Sequence, residues 1–121
     1  MSVETDSLIR SFCEAWSNSD LEKIMEFFDE DAVYHNIPME PAKGIDDIRA
    51  FIDGFFSMAS SITFDILNQV ATETTVMNER VDTLIIGENT TTLPVAGIFE
   101  IRNGKIIEWR DYFDMAQFSG A

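Results

Sequence analysis

The sequence predicts an α+β fold in which helices pack on one face of a curved sheet whose later strands form an antiparallel meander. Two observations lead to this prediction. Apolar residues recur at helical spacing as far as Ser60, and beyond it they alternate with a period of two. The length of 121 residues suits one domain with its own core and is too short for two. Residues 1–121 are therefore predicted to form a single domain.

Three helices are predicted in the first half of the chain. The first is indicated by apolar residues at helical spacing, namely Leu8, Ile9, Phe12, Ala15 and Trp16. The segment Ser19–Glu22 has the pattern of a capping box, which predicts a second helix that runs to Phe28 and ends in the acidic turn Asp29–Asp31. The third begins at Ile45 and has one apolar face, formed by Ile48, Phe51, Ile52, Phe55 and Ala59.

Five strands are predicted, one before the third helix and four after it. The early strand covers Ala32–Ile37 and stops at Pro38, which opens a loop as far as Gly44. The later strands are Ile62–Ala71, Thr75–Glu88, Thr91–Arg102 and Lys105–Asp114. The Asn103-Gly104 pair between the last two strands is a strong hairpin signal, because a type I′ turn needs positive φ at both central residues.

The composition argues against several classes of protein. Eight basic and 22 acidic side chains give a net charge of −14, so neither nucleic acid nor a membrane surface is expected as a partner. No stretch approaches the roughly 20 apolar residues that span a bilayer, and the N-terminus has no signal-peptide pattern. One cysteine and one histidine exclude a disulfide framework and a Cys/His metal site. The lone Cys13 fits a reducing, cytoplasmic compartment.

Polar side chains interrupt the apolar faces of three predicted strands. Alternate side chains of a strand share a face, which puts Arg80 and Asp82 together. Asp111 lies on an apolar face of the last strand, and Tyr34 shares a face of the first strand with Asn36. If these faces point inward, five polar groups lie in one interior. Such breaks in the apolar pattern are expected at functional sites.

Each of these groups also has a structural interpretation, which is favoured when the group is taken singly. A buried tyrosine usually anchors packing, and an asparagine at a strand end often satisfies the backbone. An Arg–Asp pair is common on an exposed sheet face, and a lone aspartate can protect a sheet edge. His35 lies on the strand face opposite Tyr34, so a surface role is expected for it. Only the combination of five groups favours chemistry.

The segments that hold these residues resemble the limonene-1,2-epoxide hydrolase family. The similar segments are Tyr34–Pro41, Arg80–Asp82 and Trp109–Asp114. That family belongs to the wider nuclear-transport-factor-2-like, or SnoaL-like, group. The resemblance implies a cone in which a strongly curved mixed sheet and N-terminal helices enclose a deep apolar pocket, usually in a homodimer. It also implies hydrolysis of an epoxide to a vicinal diol without a cofactor.

The resemblance assigns a role to each of the five polar residues. Asp111 corresponds to the base that activates water, and Tyr34 and Asn36 to the residues that hold this water. Asp82 corresponds to the acid that protonates the epoxide oxygen, and Arg80 to the bridge between the two carboxyl groups. Water is a poor nucleophile and an epoxide oxygen a poor leaving group, so one carboxyl must be ionised and the other protonated.

A neutral, apolar epoxide is the expected substrate, such as a terpene, cyclic or aryl epoxide. Strand parity and position suggest a pocket wall formed by Leu84, Phe113, Phe118, Phe55 and Trp16. Two alternatives stay open. One is an isomerase or cyclase similar to ketosteroid isomerases or polyketide cyclases, which needs a base and an oxyanion donor. The other is a non-catalytic module that binds an apolar ligand.

Overall fold

A computed structural model describes the backbone of residues 3–119 and the side chains of residues 3–117. The helices are Val3–Ser17 (α1), Leu21–Glu26 (α2), Ile45–Met58 (α3) and Ala116–Ser119 (α4). The strands are Phe28–Asn36 (β1), Ala42–Lys43 (β2), Ser61–Ala71 (β3), Thr75–Ile86 (β4), Asn89–Arg102 (β5) and Lys105–Tyr112 (β6). Among residues 3–119, no helix is long and apolar enough to cross a membrane.

The six strands form one mixed sheet in the order β2-β1-β6-β5-β4-β3. Strand β1 runs parallel to β6, and every other neighbouring pair is antiparallel. A parallel pair needs a long connection, and here α3 and the β3–β5 meander provide it. The α+β class, the mixed sheet and the antiparallel meander of the four later strands are confirmed. The parallel pairing of β1 with β6 was not predicted from the residues.

Aromatic rings fill the core between the helices and the concave face of the sheet. Trp109 on β6 is fully buried at their centre. Phe12 of α1 meets it edge-on at 5.0 Å between ring centroids, and Tyr34 of β1 stacks on it at 4.0 Å with nearly parallel planes. These contacts fix β6 against β1 and α1, and thereby fix the position of Asp111, two residues further along β6.

The second helix is shorter than predicted. It ends at Glu26, and its N-cap is Asp20, whose side chain accepts a hydrogen bond from the Lys23 backbone N–H. Phe28 begins β1, and its ring packs 5.5 Å from that of Phe12. Burial of this ring outweighs the local helical pattern. The acidic run Asp29–Asp31 therefore lies in a strand, and its assignment to a turn is wrong.

One predicted strand face is wrong at its beginning. Alternation along the last strand predicts that Ile107 and Trp109 share the face of Asp111, but Ile106 is fully buried and Ile107 only half-buried. The register of β5 and β6 shifts between Glu100 and Ile101. An extra residue in one strand reverses the parity on one side of the bulge. Beyond it Trp109 and Asp111 point inward as predicted, and β6 ends at Tyr112 instead of Asp114.

Candidate active site

Arg80 is the centre of a buried hydrogen-bond network. Its side chain is fully buried, and a guanidinium has five N–H donors. Nε and Nη2 donate to the two oxygens of Asp82 at 3.0 and 2.8 Å. Nη1 and Nη2 donate to the two oxygens of Asp111 at 3.2 and 2.7 Å, and Nη1 also donates to Asn78 Oδ1 at 3.2 Å. These contacts engage all five donors.

Strand geometry explains how the two aspartates meet. Arg80 and Asp82 lie two residues apart on the inward face of β4. Asp111 lies on β6, with β5 between them, and Gly97 of β5 is the register partner of both Asp111 and Asn78. A Cβ at position 97 would lie 2.5 Å from Arg80 Nη1 and 2.8 Å from Asp111 Oδ1. The missing side chain of glycine leaves the space that the guanidinium fills.

The Gly97→Ala substitution is expected to lower the free energy of unfolding by about 1–3 kcal/mol, because overpacking forces buried atoms to move. Urea unfolding measures this change. The matched control is Gly54→Ala in the middle of α3, where an added Cβ meets nothing within 4 Å. The control is expected to gain up to about 1 kcal/mol from helix propensity. Equal stability of the two variants would contradict the packing at Gly97.

The two carboxyl groups have different surroundings. Asp111 accepts three hydrogen bonds, because Trp109 Nε1 donates to its Oδ1 at 2.6 Å in addition to the two from Arg80. Asp82 accepts two. Burial raises the pKa of the Asp82 carboxyl to about 6, although Arg80 acts in the opposite direction. Negative charge is therefore better stabilised on Asp111, and Asp82 is the better place for a proton.

Arg80, which lies between the two aspartates, keeps its positive charge. Burial disfavours the charge of Arg80, but Asp111 and Asp82 more than offset this and hold the pKa of the guanidinium well above its usual value. The ring of Phe64 covers the guanidinium carbon at 4.5 Å. Phe64 is the register partner of Asp82 on β3. A guanidinium packed against an aromatic face is favourable. Phe64 therefore separates Arg80 from the cavity and at the same time stabilises the charge of Arg80.

Tyr34 and Asn36 of β1 lie next to the part of β6 that carries Asp111. They pair in register with Trp109 and Asp111 of β6, and the backbone N–H of Ile37 donates to the Asp111 carbonyl at 2.9 Å. Both side chains are buried. Burial and the charge of Asp111 raise the pKa of Tyr34 well above its usual value. The phenol therefore stays protonated at neutral pH and can donate a hydrogen bond.

A cavity of about 440 Å³ opens next to these groups. Most of its wall is apolar. The polar side chains that line it, among the described residues, are Tyr34, Asn36, Asp82 and Asp111. The structure thus brings all five predicted catalytic residues together, four on the cavity wall and Arg80 behind it. A cavity of this size is typical of a small-molecule site.

Three of the five residues predicted for the cavity wall line it in the structure. Leu84, Phe113 and Phe55 line the cavity. The prediction for Trp16 is wrong, because its ring is fully buried in the core and stacks behind Phe64 at 4.8 Å. The side chain of Phe118 lies outside the described part of the chain.

Sequence reasoning missed several wall residues. Phe64 lies two residues after the buried Ile62 on β3 and shares its face, so strand parity could have identified it. Met39, Met58 and Met115 line the cavity and are each at least 40% exposed, which places them at its opening. No pattern in the sequence marks these methionines, because they come from three separate segments.

The fold and the site define a class: a cone-shaped α+β domain of the nuclear-transport-factor-2-like type, with an Arg-bridged pair of aspartates in an apolar cavity. Within that class, residues 3–120 match the sequence model of the limonene-1,2-epoxide hydrolase catalytic domain. The chain belongs to the limonene-1,2-epoxide hydrolase family.

Known relatives agree with this assignment. Epoxide hydrolase EphG of Mycobacterium tuberculosis is 28% identical over 109 residues, which are 88% of this chain and 71% of the relative. The structure of an M. tuberculosis LEH-like epoxide hydrolase superposes with a TM-score of 0.88 at 28% identity, covering 98% of this chain and 90% of that one. A structure from Xanthomonas campestris that resembles polyketide cyclases superposes with a TM-score of 0.86 at 19% identity, covering 95% of this chain and 93% of that one. At this identity the similarity shows the fold alone.

Proposed function

We propose that this protein hydrolyses a neutral, apolar epoxide to a vicinal diol by direct attack of water, without a covalent intermediate and without a cofactor. One observation supports this most strongly: each polar side chain described on the cavity wall belongs to the set that such a reaction needs. Limonene-1,2-epoxide and other cyclic or aryl epoxides are the substrate class.

Asp111 acts as the base in this mechanism. Its carboxylate accepts a proton from a water molecule that Tyr34 and Asn36 orient, and the water oxygen bonds to an epoxide carbon. These two side chains are register neighbours of Trp109 and Asp111, so donor, acceptor and base lie on adjacent strands. A positioned base of this kind contributes about 10²–10⁴-fold to the rate.

Asp82 acts as the acid. As the carbon–oxygen bond of the ring breaks, the epoxide oxygen takes the proton of Asp82. Its pKa of about 6 leaves a usable protonated fraction near neutral pH. After turnover Asp111 holds a proton and Asp82 a charge, so one proton must pass back before the next cycle. Arg80 stabilises either distribution of the charge, because it contacts both carboxyl groups.

The cavity wall supports a neutral substrate. Among the described residues of the wall, the side chains other than the four polar ones are apolar, including Leu84, Leu93 and Val95. The net charge of −14 would repel an anionic substrate from a distance. An isomerase or cyclase needs a base and an oxyanion donor but no cation held between two carboxyl groups. The contacts of Arg80 therefore favour hydrolysis over that alternative.

A single turnover in ¹⁸O-labelled water tests the proposal, with enzyme in excess over a chiral cyclic epoxide. We expect the diol of the first turnover to carry one solvent oxygen, because water attacks the substrate directly. Mass spectrometry of the diol reads the label, and the same reaction in ordinary water is the control. An unlabelled first diol, with label in a protein carboxyl, would mean that an aspartate attacks the substrate. Failure of a whole panel of neutral epoxides to react would contradict the proposed activity itself.

A further inference from the structure

We propose that Asn78 is a positioning residue that holds the Arg80 guanidinium in the orientation that serves both aspartates. This inference rests on the proposed function for its role in turnover. Asn78 is buried on the inward face of β4, two residues before Arg80. It does not line the catalytic cavity, so any effect on the reaction must act through Arg80.

The chemistry of the contact points to an orienting role. The two aspartates accept four of the five guanidinium N–H donors, and Asn78 Oδ1 accepts the fifth from Nη1 at 3.2 Å. A neutral carbonyl satisfies this donor without adding charge. A carboxylate at this position would compete with Asp111 for Nη1, and an apolar side chain would leave a buried donor unpaired.

The orientation of the Asn78 amide is itself fixed. Its Nδ2 donates to Gln69 Oε1 at 3.0 Å on the neighbouring strand β3. Gln69 Nε2 in turn donates to Asp6 Oδ1 at 2.8 Å and to the Asp6 carbonyl at 3.1 Å, and Asp6 also accepts from Arg10 Nε at 3.0 Å. Because the Asp6 oxygens can only accept hydrogen bonds, the Gln69 and Asn78 amides are each fixed in one orientation. In that orientation the Asn78 oxygen faces Arg80.

Gly97 bounds the contact from β5. The Cβ position of Gly97 lies 3.0 Å from Asn78 Oδ1 and 2.5 Å from Arg80 Nη1. The three groups are therefore in close contact, and Nη1 lies between two acceptor oxygens, Asp111 Oδ1 and Asn78 Oδ1. Without the Asn78 acceptor, the guanidinium could rotate toward either aspartate alone.

The test compares Asn78→Ala with Asn78→Asp. We expect Asn78→Ala to lower kcat by about 10-fold or more, since one unpaired buried donor is enough for that change. KM for the epoxide should stay within about twofold, because a group that does not touch the substrate leaves binding unchanged. Asn78→Asp keeps an acceptor oxygen for Nη1, and we expect it to restore most of kcat at acidic pH, where the introduced carboxyl is protonated and does not compete with Asp111. The matched control is Asn68→Ala on β3, an exposed asparagine whose amide donates to Glu79 instead.

The pH dependence gives a second readout. Arg80, Asp111 and Asp65 are the charged groups that act on Asp82, from β4, β6 and β3. Tyr34 of β1 and Cys13 of α1 are nearby too, but burial raises the pKa of both, Cys13 to about 12, so they are neutral. Asn78→Asp adds a negative charge beside this set. It should therefore raise the pKa of Asp82 and move the alkaline limb of kcat to higher pH by about half a unit or more.

The same pKa can be followed without a substrate by ¹³C NMR of the Asp82 carboxyl. This measurement separates the inference from the proposed function, since it works even if no epoxide reacts. An Asp82 titration that is identical in wild type and Asn78→Ala would overturn the inference, since Asn78→Asp shifts this titration through its added charge alone. So would an Asn78→Ala enzyme that melts earlier but keeps the wild-type kcat and pH profile, because Asn78 would then serve stability alone.

Discussion

The Asp111→Asn substitution is expected to lower kcat for epoxide hydrolysis by about 10²–10⁴-fold, which is the usual contribution of a positioned general base. The amide is nearly the same size as the carboxylate, so the cavity keeps its shape. It cannot accept a proton from water. Asp82→Asn should have an effect of the same order, because the epoxide oxygen then leaves without a proton. Steady-state kinetics with a chiral cyclic epoxide and chromatography of the diol measure both.

The two variants should differ in their pH dependence. Loss of Asp82 removes the group whose pKa of about 6 sets the alkaline limb, so the remaining activity of Asp82→Asn should no longer fall as the pH rises through that value. The matched control is Asp31→Asn, an exposed aspartate on β1 that does not line the cavity. Its kcat should stay within about twofold of wild type. A normal rate for Asp111→Asn would remove Asp111 from the mechanism.

A stability measurement must accompany these rates. Both oxygens of Asp111 accept hydrogen bonds, so the amide introduced by Asp111→Asn turns its NH₂ toward a donor, either Arg80 or Trp109. An unmade hydrogen bond of this kind lowers the free energy of unfolding by about 1–3 kcal/mol. Thermal melting shows whether the variant is folded at the assay temperature, and kcat per folded molecule is then the relevant rate.

The sequence predicted most of the fold because its signals are local. The change of period at Ser60 marks the end of the helical half, and β3 to β6 follow it. The errors come from long-range contacts. Phe28 has a helical pattern but pairs with Ile106 across the sheet, and the bulge on β6 depends on its register with β5. Neither partner is visible from the local pattern.

The site was predictable in part for the same reason. Strand parity alone put Arg80 and Asp82 on one strand face and Asp111 on an apolar face, and the burial of all three shows that these faces point inward. Their roles came only from the family resemblance, since parity does not distinguish an acid from a base. Asn78 and Gly97 were missed because their importance depends on the distance to Arg80. The homodimer implied by the resemblance and the cytoplasmic location stay predictions.

Replacement of Arg80 by methionine is expected to cause the largest loss of stability. Removal of one partner from a buried ion pair costs about 3–5 kcal/mol, because a charge is left without compensation. Here one guanidinium serves two buried carboxyl groups, so two charges lose their partner. Methionine keeps an unbranched apolar side chain against Phe64, which limits the loss of packing. Urea unfolding near neutral pH measures the change.

The loss of stability in Arg80→Met should become larger as the pH rises. Burial already raises the pKa of Asp82, and Arg80 is the main group that opposes this, so the pKa rises further in the variant. A carboxyl whose folded pKa exceeds its unfolded value of about 3.9 destabilises the fold increasingly as the pH rises above that value. Arg80→Met should therefore be closest to wild type near pH 4, where the Asp82 carboxyl is mostly protonated, and weakest near pH 8.

Arg110→Met provides the matched control, since Arg110 pairs with Glu100 and Glu108 while partly exposed. Such pairs contribute about 0–1 kcal/mol. Hydrogen bonds from Arg110 and Thr75 lower the pKa of Glu100 below its usual 4.5, so the pH dependence of the control lies below that value and its stability is flat above pH 5. If Arg80→Met were also flat over that range, the two aspartates would not depend on Arg80 for their charge. Burial, with Arg80 as the single cation that opposes it, would then not explain the raised pKa of Asp82.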